Sequence, residues 1–198
     1  MPIYTIIAGV NGVGKSSLTG VLKAERNDLG YVIDVDKIAF SAKLKPVDAG
    51  KIAIRKINEL LAKNISFGQE TTLSGIRVEK TVKEAKEKGY TVRMFYICLS
   101  SCDESVKRIN NRVRKGGHDI QDGDVKRRYA KRFDDLARIL PYCDEVLLFD
   151  NENGFVAVGE YKNGEIICKG DNKPEWLKEL IAYLSPYIKN ERLTLEKS

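Results

Sequence analysis

At 198 residues with 42% hydrophobic side chains, the chain can bury one substantial core, and its length favours a single domain spanning residues 1–198. Four cysteines without a C-x-x-C pair and a single histidine exclude a zinc site and a disulfide framework, leaving buried free thiols as the expectation. A net charge of +6 and a pI near 9.0 favour anionic ligands: nucleotides, nucleic acid or an acidic protein.

The first predicted element, IYTIIA at residues 3–8, is short, β-branched and apolar, the pattern of a buried parallel strand. It runs straight into the glycine-rich AGVNGVGKSSL. Leu18, Val21 and Leu22 space a helix from Lys15 to about Arg26, stopping ahead of Gly30. YVID at 31–34 is a second strand, with Asp36 just past its end. Asp48 is a candidate N-cap for a helix through about Asn64, with Ile52, Ile54, Ile57, Leu60 and Leu61 as its apolar stripe. A strand at about 65–69 leaves Glu70, Thr71 and Thr72 at its carboxyl end. RVEKTVKEAKEKG is the next helix, with Gly89 as C-cap, and TVRMFYICL at 91–99 is the strongest strand of the chain.

Helices at about 103–115 and 125–140 flank GGHDIQDGD and lead to the strand EVLLFD. This alternation predicts an α/β three-layer fold: a mostly parallel sheet, right-handed crossovers, helices on both faces. From about residue 154 the pattern changes. GFVAVGEY and EIICKG, joined through KNG, read as a β-hairpin with an Asn-Gly turn, and a closing helix starts at Pro174, so that hairpin and helix fill about 154–190. No stretch approaches the roughly 18 apolar residues of a membrane span, and MPIYTII lacks a basic region ahead of an apolar run; a cytoplasmic protein without membrane partners is expected.

GVNGVGKS satisfies G-x-x-x-x-G-K-[ST] between a predicted strand and a predicted helix, where a phosphate loop must sit. The loop Gly9, Asn11, Gly12, Val13, Gly14, Lys15, Ser16 and Ser17 is expected to hold ATP. Backbone N–H groups and the helix dipole meet the phosphates, Lys15 reaches the β- and γ-phosphates, and Ser16 ligates Mg²⁺. Ligands of open parallel sheets lie beyond the carboxyl ends of the strands, where Asp34, Asp36, Glu70, Thr71 and Thr72 are predicted. Asp36 is the candidate base for an acceptor hydroxyl, and Glu70, Thr71 and Thr72 offer hydrogen bonds to a polyhydroxylated small molecule; the alternative for Asp34 and Asp36 is a helix cap. The crowd of Lys and Arg around Gly116, Gly117 and Gly123 reads as an arginine lid over about 112–128, with Arg112, Arg114, Arg127 and Arg128 flanking its hinges to neutralise transferring phosphate and His118 as a candidate ligand contact.

GVNGVGKS, VIDVDKIA, ETTLSG, KGY, RVRKGGHDI, VKRRY, RFDDL and LFDN occur in an order that resembles the zeta-toxin-like family of P-loop kinases over residues 3–153. The likeness is to the compact bacterial branch often labelled a predicted ABC-type ATPase. It implies a nucleoside- or shikimate-kinase-like fold and transfer of the ATP γ-phosphate to a sugar hydroxyl, which in characterised relatives is the 3′-hydroxyl of the amino sugar of UDP-N-acetylglucosamine. Lys15 and Ser16 then take the phosphate and metal roles, Asp36 is the base, Glu70 and Thr71 meet the substrate, and Arg112 and Arg128 contact the moving phosphate. An antitoxin protein becomes a candidate partner. The ABC label itself is rejected: TLSGI lacks the Gly-Gln that continues that signature, and EVLLFD, which follows the lid, is poorly placed for Mg²⁺. Two other readings stay open: a kinase for another metabolite or antibiotic hydroxyl, and a nucleic-acid-binding P-loop protein. The second is disfavoured because only Tyr129 and Phe133 lie among the arginines, and their helical spacing suits core packing.

Overall fold

The structure, a computed structural model, describes the backbone of residues 1–171 and 173–195 and, within these, side chains as far as residue 186. Seven strands form one sheet in the order β2-β3-β1-β4-β5-β6-β7. The first five, β1 (Ile3–Ala8), β2 (Tyr31–Asp34), β3 (Phe67–Thr71), β4 (Thr91–Cys98) and β5 (Glu145–Asp150), are parallel. Alternate residues of the central strands enter opposite faces. Tyr4, Ile6 and Met94 join Phe67, Tyr90 and Trp176 in one apolar cluster, while Ile7, Phe95 and Ile97 join Val13, Leu18 and Leu22 in another. The three-layer α/β expectation holds.

Helix α1 (Lys15–Glu25) starts at Gly14 and has no acidic residue in its first turn, so its positive end faces the loop uncompensated. After β2 the chain forms a helix absent from the sequence reading, α2 (Val35–Ala42). The Asp34 carboxylate caps it by accepting from the Lys37 N–H at 3.1 Å, and Lys43 ends it in the left-handed region at φ 51°. Helix α3 (Pro46–Ala62) begins at Pro46 rather than at Asp48, which sits in its first turn. Strand β3 starts two residues later than predicted. Asn64 (φ 51°) and Ile65 complete the α3 C-cap, with the Ile65 N–H donating to the Leu60 carbonyl at 3.1 Å, so neither is free to pair in the sheet. Glu70 therefore lies inside β3, in register with Ile7 and Asp34.

Helices α4 (Arg77–Glu87) and α5 (Cys102–Arg114) follow the prediction closely, α5 being capped by the Ser101 hydroxyl on the Glu104 N–H. The helix expected over 125–140 is two, α6 (Asp122–Ala130) and α7 (Arg132–Ala137), separated at Lys131. The Arg132 guanidinium stacks 4.1 Å from the ring centroids of both Tyr129 and Phe133, covering the two aromatics considered for base stacking. The hairpin β6 (Val156–Lys162) and β7 (Glu165–Cys168) turns at Asn163 and Gly164, both with positive φ, and extends the sheet by antiparallel pairing of β6 with β5. Helix α8 (Glu175–Leu195) then buries Trp176, Leu177, Leu180 and Leu184. All four cysteines are free, but only Cys98 is buried as expected; Cys102, Cys143 and Cys168 are half-buried. Among the described residues no helix is long and apolar enough to cross a membrane.

Candidate active site

The loop between β1 and α1 has the shape its glycines permit. Gly9, Gly12 and Gly14 take φ of 143°, 85° and 98°. A Cβ on Gly9 would lie 2.3 Å from the Ile97 carbonyl oxygen, on Gly12 2.4 Å from that of Ser105, and on Gly14 2.5 Å from Asn151 Nδ2. Each glycine is thus required twice, by dihedral angle and by a neighbour. Lys15 folds back over this loop and donates from Nζ to the carbonyls of Gly9 (2.9 Å) and Val10 (3.1 Å). Burial pushes its pKa down, the charges of Glu70, Asp36 and Asp34 resist, and Arg128 adds to the lowering.

Glu70 is the best-anchored of the carboxylates. Its Oε2 accepts from the Ser16 hydroxyl at 2.8 Å and its Oε1 from the Thr19 hydroxyl at 2.7 Å. Burial raises its pKa above the ordinary carboxylate range; the hydroxyls of Thr19 and Ser16 and the charge of Lys15 oppose this, and Asp34 reinforces it. The register that pairs Ile7 with Glu70 is what aims it at the phosphate loop. These two bonds place Glu70 beside the predicted metal ligand Ser16 and leave one further acceptor site on each of its oxygens. Thr19, one turn into α1, was not anticipated.

Asp34 is half-buried and committed to the α2 cap, the helix-cap alternative for that residue. Asp36 stands exposed in the first turn of α2, free of that duty. Thr71 and Thr72 form a turn. The Thr71 hydroxyl accepts from the Leu73 N–H at 3.0 Å, and the Thr72 and Ser74 hydroxyls lie 2.8 Å apart. Arg138 fixes the same turn through the carbonyls of Leu73 (3.0 Å) and Gly75 (2.9 Å).

Arg112 and Arg128, both predicted to meet phosphate, part company. Arg128 reaches the phosphate loop, its Nη1 donating to Asn11 Oδ1 at 2.5 Å, and its buried Nε has no partner among the described residues. Arg112 instead donates to the His118 carbonyl at 2.7 Å and packs on Gly117, whose Cβ position lies 2.5 Å from Arg112 Cγ. It secures the loop between α5 and α6, and among the described residues no hydrogen bond joins it to the phosphate loop. His118, the candidate ligand contact, is half-buried. A cleft of about 500 Å³ opens elsewhere, between α5 and α6, lined by Lys107, Asn110, Asn111, Arg114, Asp122 and Lys126 among others; no loop residue borders it.

The strand β5 supplies further residues. Asn151 donates from Nδ2 to the Val13 carbonyl at 2.8 Å, and Asp150 accepts from Trp176 Nε1 at 2.7 Å. The second bond occupies the carboxylate judged poorly placed for Mg²⁺. LFDN held the only sequence signal for Asn151, a polar residue directly after an apolar strand.

No family model matches the chain. An uncharacterized protein of Haemophilus influenzae is 36% identical over 126 residues, 61% of this chain and 88% of that protein. Among solved structures, a chain of the PezAT chromosomal toxin–antitoxin system of Streptococcus pneumoniae superposes with a TM-score of 0.65 at 17% identity, over 100% of this chain and 88% of that one. The AvrRxo1-ORF1:-ORF2 complex with ATP gives 0.63 at 17% identity, over 94% and 76%. The chain belongs to the same family as the Haemophilus influenzae protein, and its fold is that of the zeta-toxin-like P-loop kinases.

Proposed function

We propose that the protein moves the γ-phosphate of ATP to a hydroxyl of a small molecule, with Asp36 as the base. The observation that supports this reading is the geometry around one loop: Lys15 Nζ lies on the Gly9 and Val10 carbonyls, Glu70 is bonded to Ser16 and Arg128 to Asn11, and Asp36 stands exposed in the first turn of α2, directly after β2. In the reaction, the acceptor hydroxyl gives its proton to Asp36 as its oxygen bonds to the γ-phosphorus. The bond from that phosphorus to the β–γ bridging oxygen breaks, and ADP leaves. Lys15 exchanges its two carbonyl partners for phosphate oxygens, and Arg128, already at Asn11, neutralises the charge that spreads over the moving group. Arg112 orders the lid loop that carries His118.

The donors suit Mg²⁺. Ser16 presents a hard hydroxyl oxygen whose proton is held by Glu70, leaving its lone pairs for the ion. Where Mg²⁺ is bound, Ser16 would be the residue that holds it. When bound, the ion supplies positive charge to the phosphates.

For the acceptor we favour a UDP-activated amino sugar, on the order of motifs shared with the zeta-toxin-like kinases and the hydroxyl-rich turn at Thr71 and Thr72. An antitoxin protein is the partner this reading brings with it, supported by the toxin–antitoxin system named for the PezAT neighbour. Incubation with γ-labelled ATP and a panel of UDP-sugars, other metabolite and antibiotic alcohols, and a 5′-hydroxyl oligonucleotide tests the assignment. Label is expected on UDP-N-acetylglucosamine. Label on another alcohol or the oligonucleotide alone moves the assignment to that acceptor class, and no label on any of them, with ATP bound, overturns the transferase.

A further inference from the structure

Asn151 comes from the end of β5, 138 residues along the chain from Val13, yet its side-chain amide lies on the phosphate loop. Its Nδ2 donates to the Val13 carbonyl at 2.8 Å, and its own N–H donates to the Cys98 carbonyl at 3.2 Å, so the residue is fixed at both ends. It is 9% exposed. The space a Cβ on Gly14 would take is filled by Asn151 Nδ2, 2.5 Å from that position, with the Phe155 ring at 3.4 Å.

A trans peptide is planar, with its C=O and N–H pointing in opposite directions. The Val13 carbonyl and the Gly14 N–H belong to one such peptide. Holding the carbonyl toward Asn151 therefore turns the Gly14 N–H the other way, away from Asn151, at the start of α1. We infer that Asn151 is a positioning residue for nucleotide binding: it presents the Gly14 N–H to a phosphate oxygen by anchoring the Val13 carbonyl. The inference rests on reading residues 9–16 as an ATP loop.

The neighbours of Asn151 brace it. The Glu152 side chain accepts from the Ser100 N–H at 2.7 Å, the Glu152 carbonyl accepts from Arg108 Nη2 at 3.1 Å, and Asp150 is tied to Trp176. The segment following β5 is thus held to α5 and α8 while it grips the loop, which gives the carboxyl-terminal helix a part in setting the site.

Asn151→Ala and the isosteric Asn151→Asp separate positioning from packing. ATP dissociation constants by calorimetry, read beside the melting temperature without ligand, are the measurement. Loss of one hydrogen bond is expected to weaken ATP binding about tenfold in N151A. N151D, equal in shape but presenting a carboxylate oxygen to the Val13 carbonyl and a negative charge near the phosphates, is expected to weaken it further. Unliganded melting should fall by only the few degrees that one buried hydrogen bond is worth, leaving folded protein on which ATP binding is read. ATP affinity within about twofold of the unaltered protein in both variants overturns the positioning role, since about tenfold is what one lost bond predicts. Failure of the unaltered protein to bind ATP overturns the phosphate-loop reading and this inference with it.

Discussion

The two ends of the parallel sheet both carry charge, and they treat it in opposite ways. At the amino ends, Arg93 on β4 pairs with Asp28 at 2.7 Å and with Glu145 at 2.6 Å, Asp28 also pairs with Arg26, and Lys86 pairs with Asp144. Every one of these charges meets its opposite directly, and the arginines hold the Asp28 carboxyl well below the usual carboxylate range. At the carboxyl ends, Lys15 rests on two neutral carbonyls and Glu70 on two hydroxyls. Burial makes the charged form of each harder to keep. One edge closes its charges directly on one another; the other sets Lys15 and Glu70 on neutral partners.

This contrast can be broken residue by residue. Away from Asp36, the largest effect belongs to Arg128→Ala, expected to cut phosphate transfer about 10²- to 10³-fold in a steady-state assay. Arg112→Ala, whose guanidinium is committed to the His118 carbonyl, should change turnover by less than about threefold. Equal losses in the two would erase the distinction drawn between them. At the other edge, Arg93→Ala leaves Asp28 and Glu145 facing each other without their shared cation, and should lower stability by about 2 kcal/mol in urea titrations while leaving transfer per folded molecule unchanged.

The smallest effect is a gain. The folded-state pKa of Glu70 is raised, so the stability linked to its protonated form is full below the ordinary glutamate range and is lost as pH rises through the raised value. At neutral pH the buried carboxylate is a cost. Glu70→Gln removes that charge and should melt above the unaltered protein at pH 7, the difference closing toward pH 4, while nucleotide binding in the presence of Mg²⁺ weakens. A variant less stable at pH 7 would show that the bonds to Ser16 and Thr19 outweigh burial.

What was legible in the sequence was local. A β-branched run, three glycines and Lys15-Ser16 at the head of an apolar-striped helix identify the phosphate loop because strand, turn and helix are contiguous. The Asn163-Gly164 turn was legible for the same reason. Helix α2 was not: it is eight residues long, its cap is the last residue of β2, and it ends on Lys43 rather than a glycine. Missing it left Asp36 in a loop, although its place at the sheet edge was foreseen. The bond from Glu70 to Ser16 depends on β3 pairing with β1 in one register, and the start of β3 was set by the Schellman-type cap at Asn64 and Ile65, which apolar patterning reads as strand. Arg128 meets Asn11 across 117 residues, and Asn151 meets Val13 across 138; sheet order alone brings such pairs together.

The most direct test of the central claim is a paired measurement on Asp36→Asn: the dissociation constant for ATP and the rate of label transfer to the acceptor, in the same preparation. With Asp36 exposed on α2 and outside the phosphate loop, ATP affinity should stay within about twofold while transfer falls on the order of 10³-fold. Transfer at the unaltered rate, or a parallel fall of binding and transfer, contradicts the assignment of Asp36 as the base.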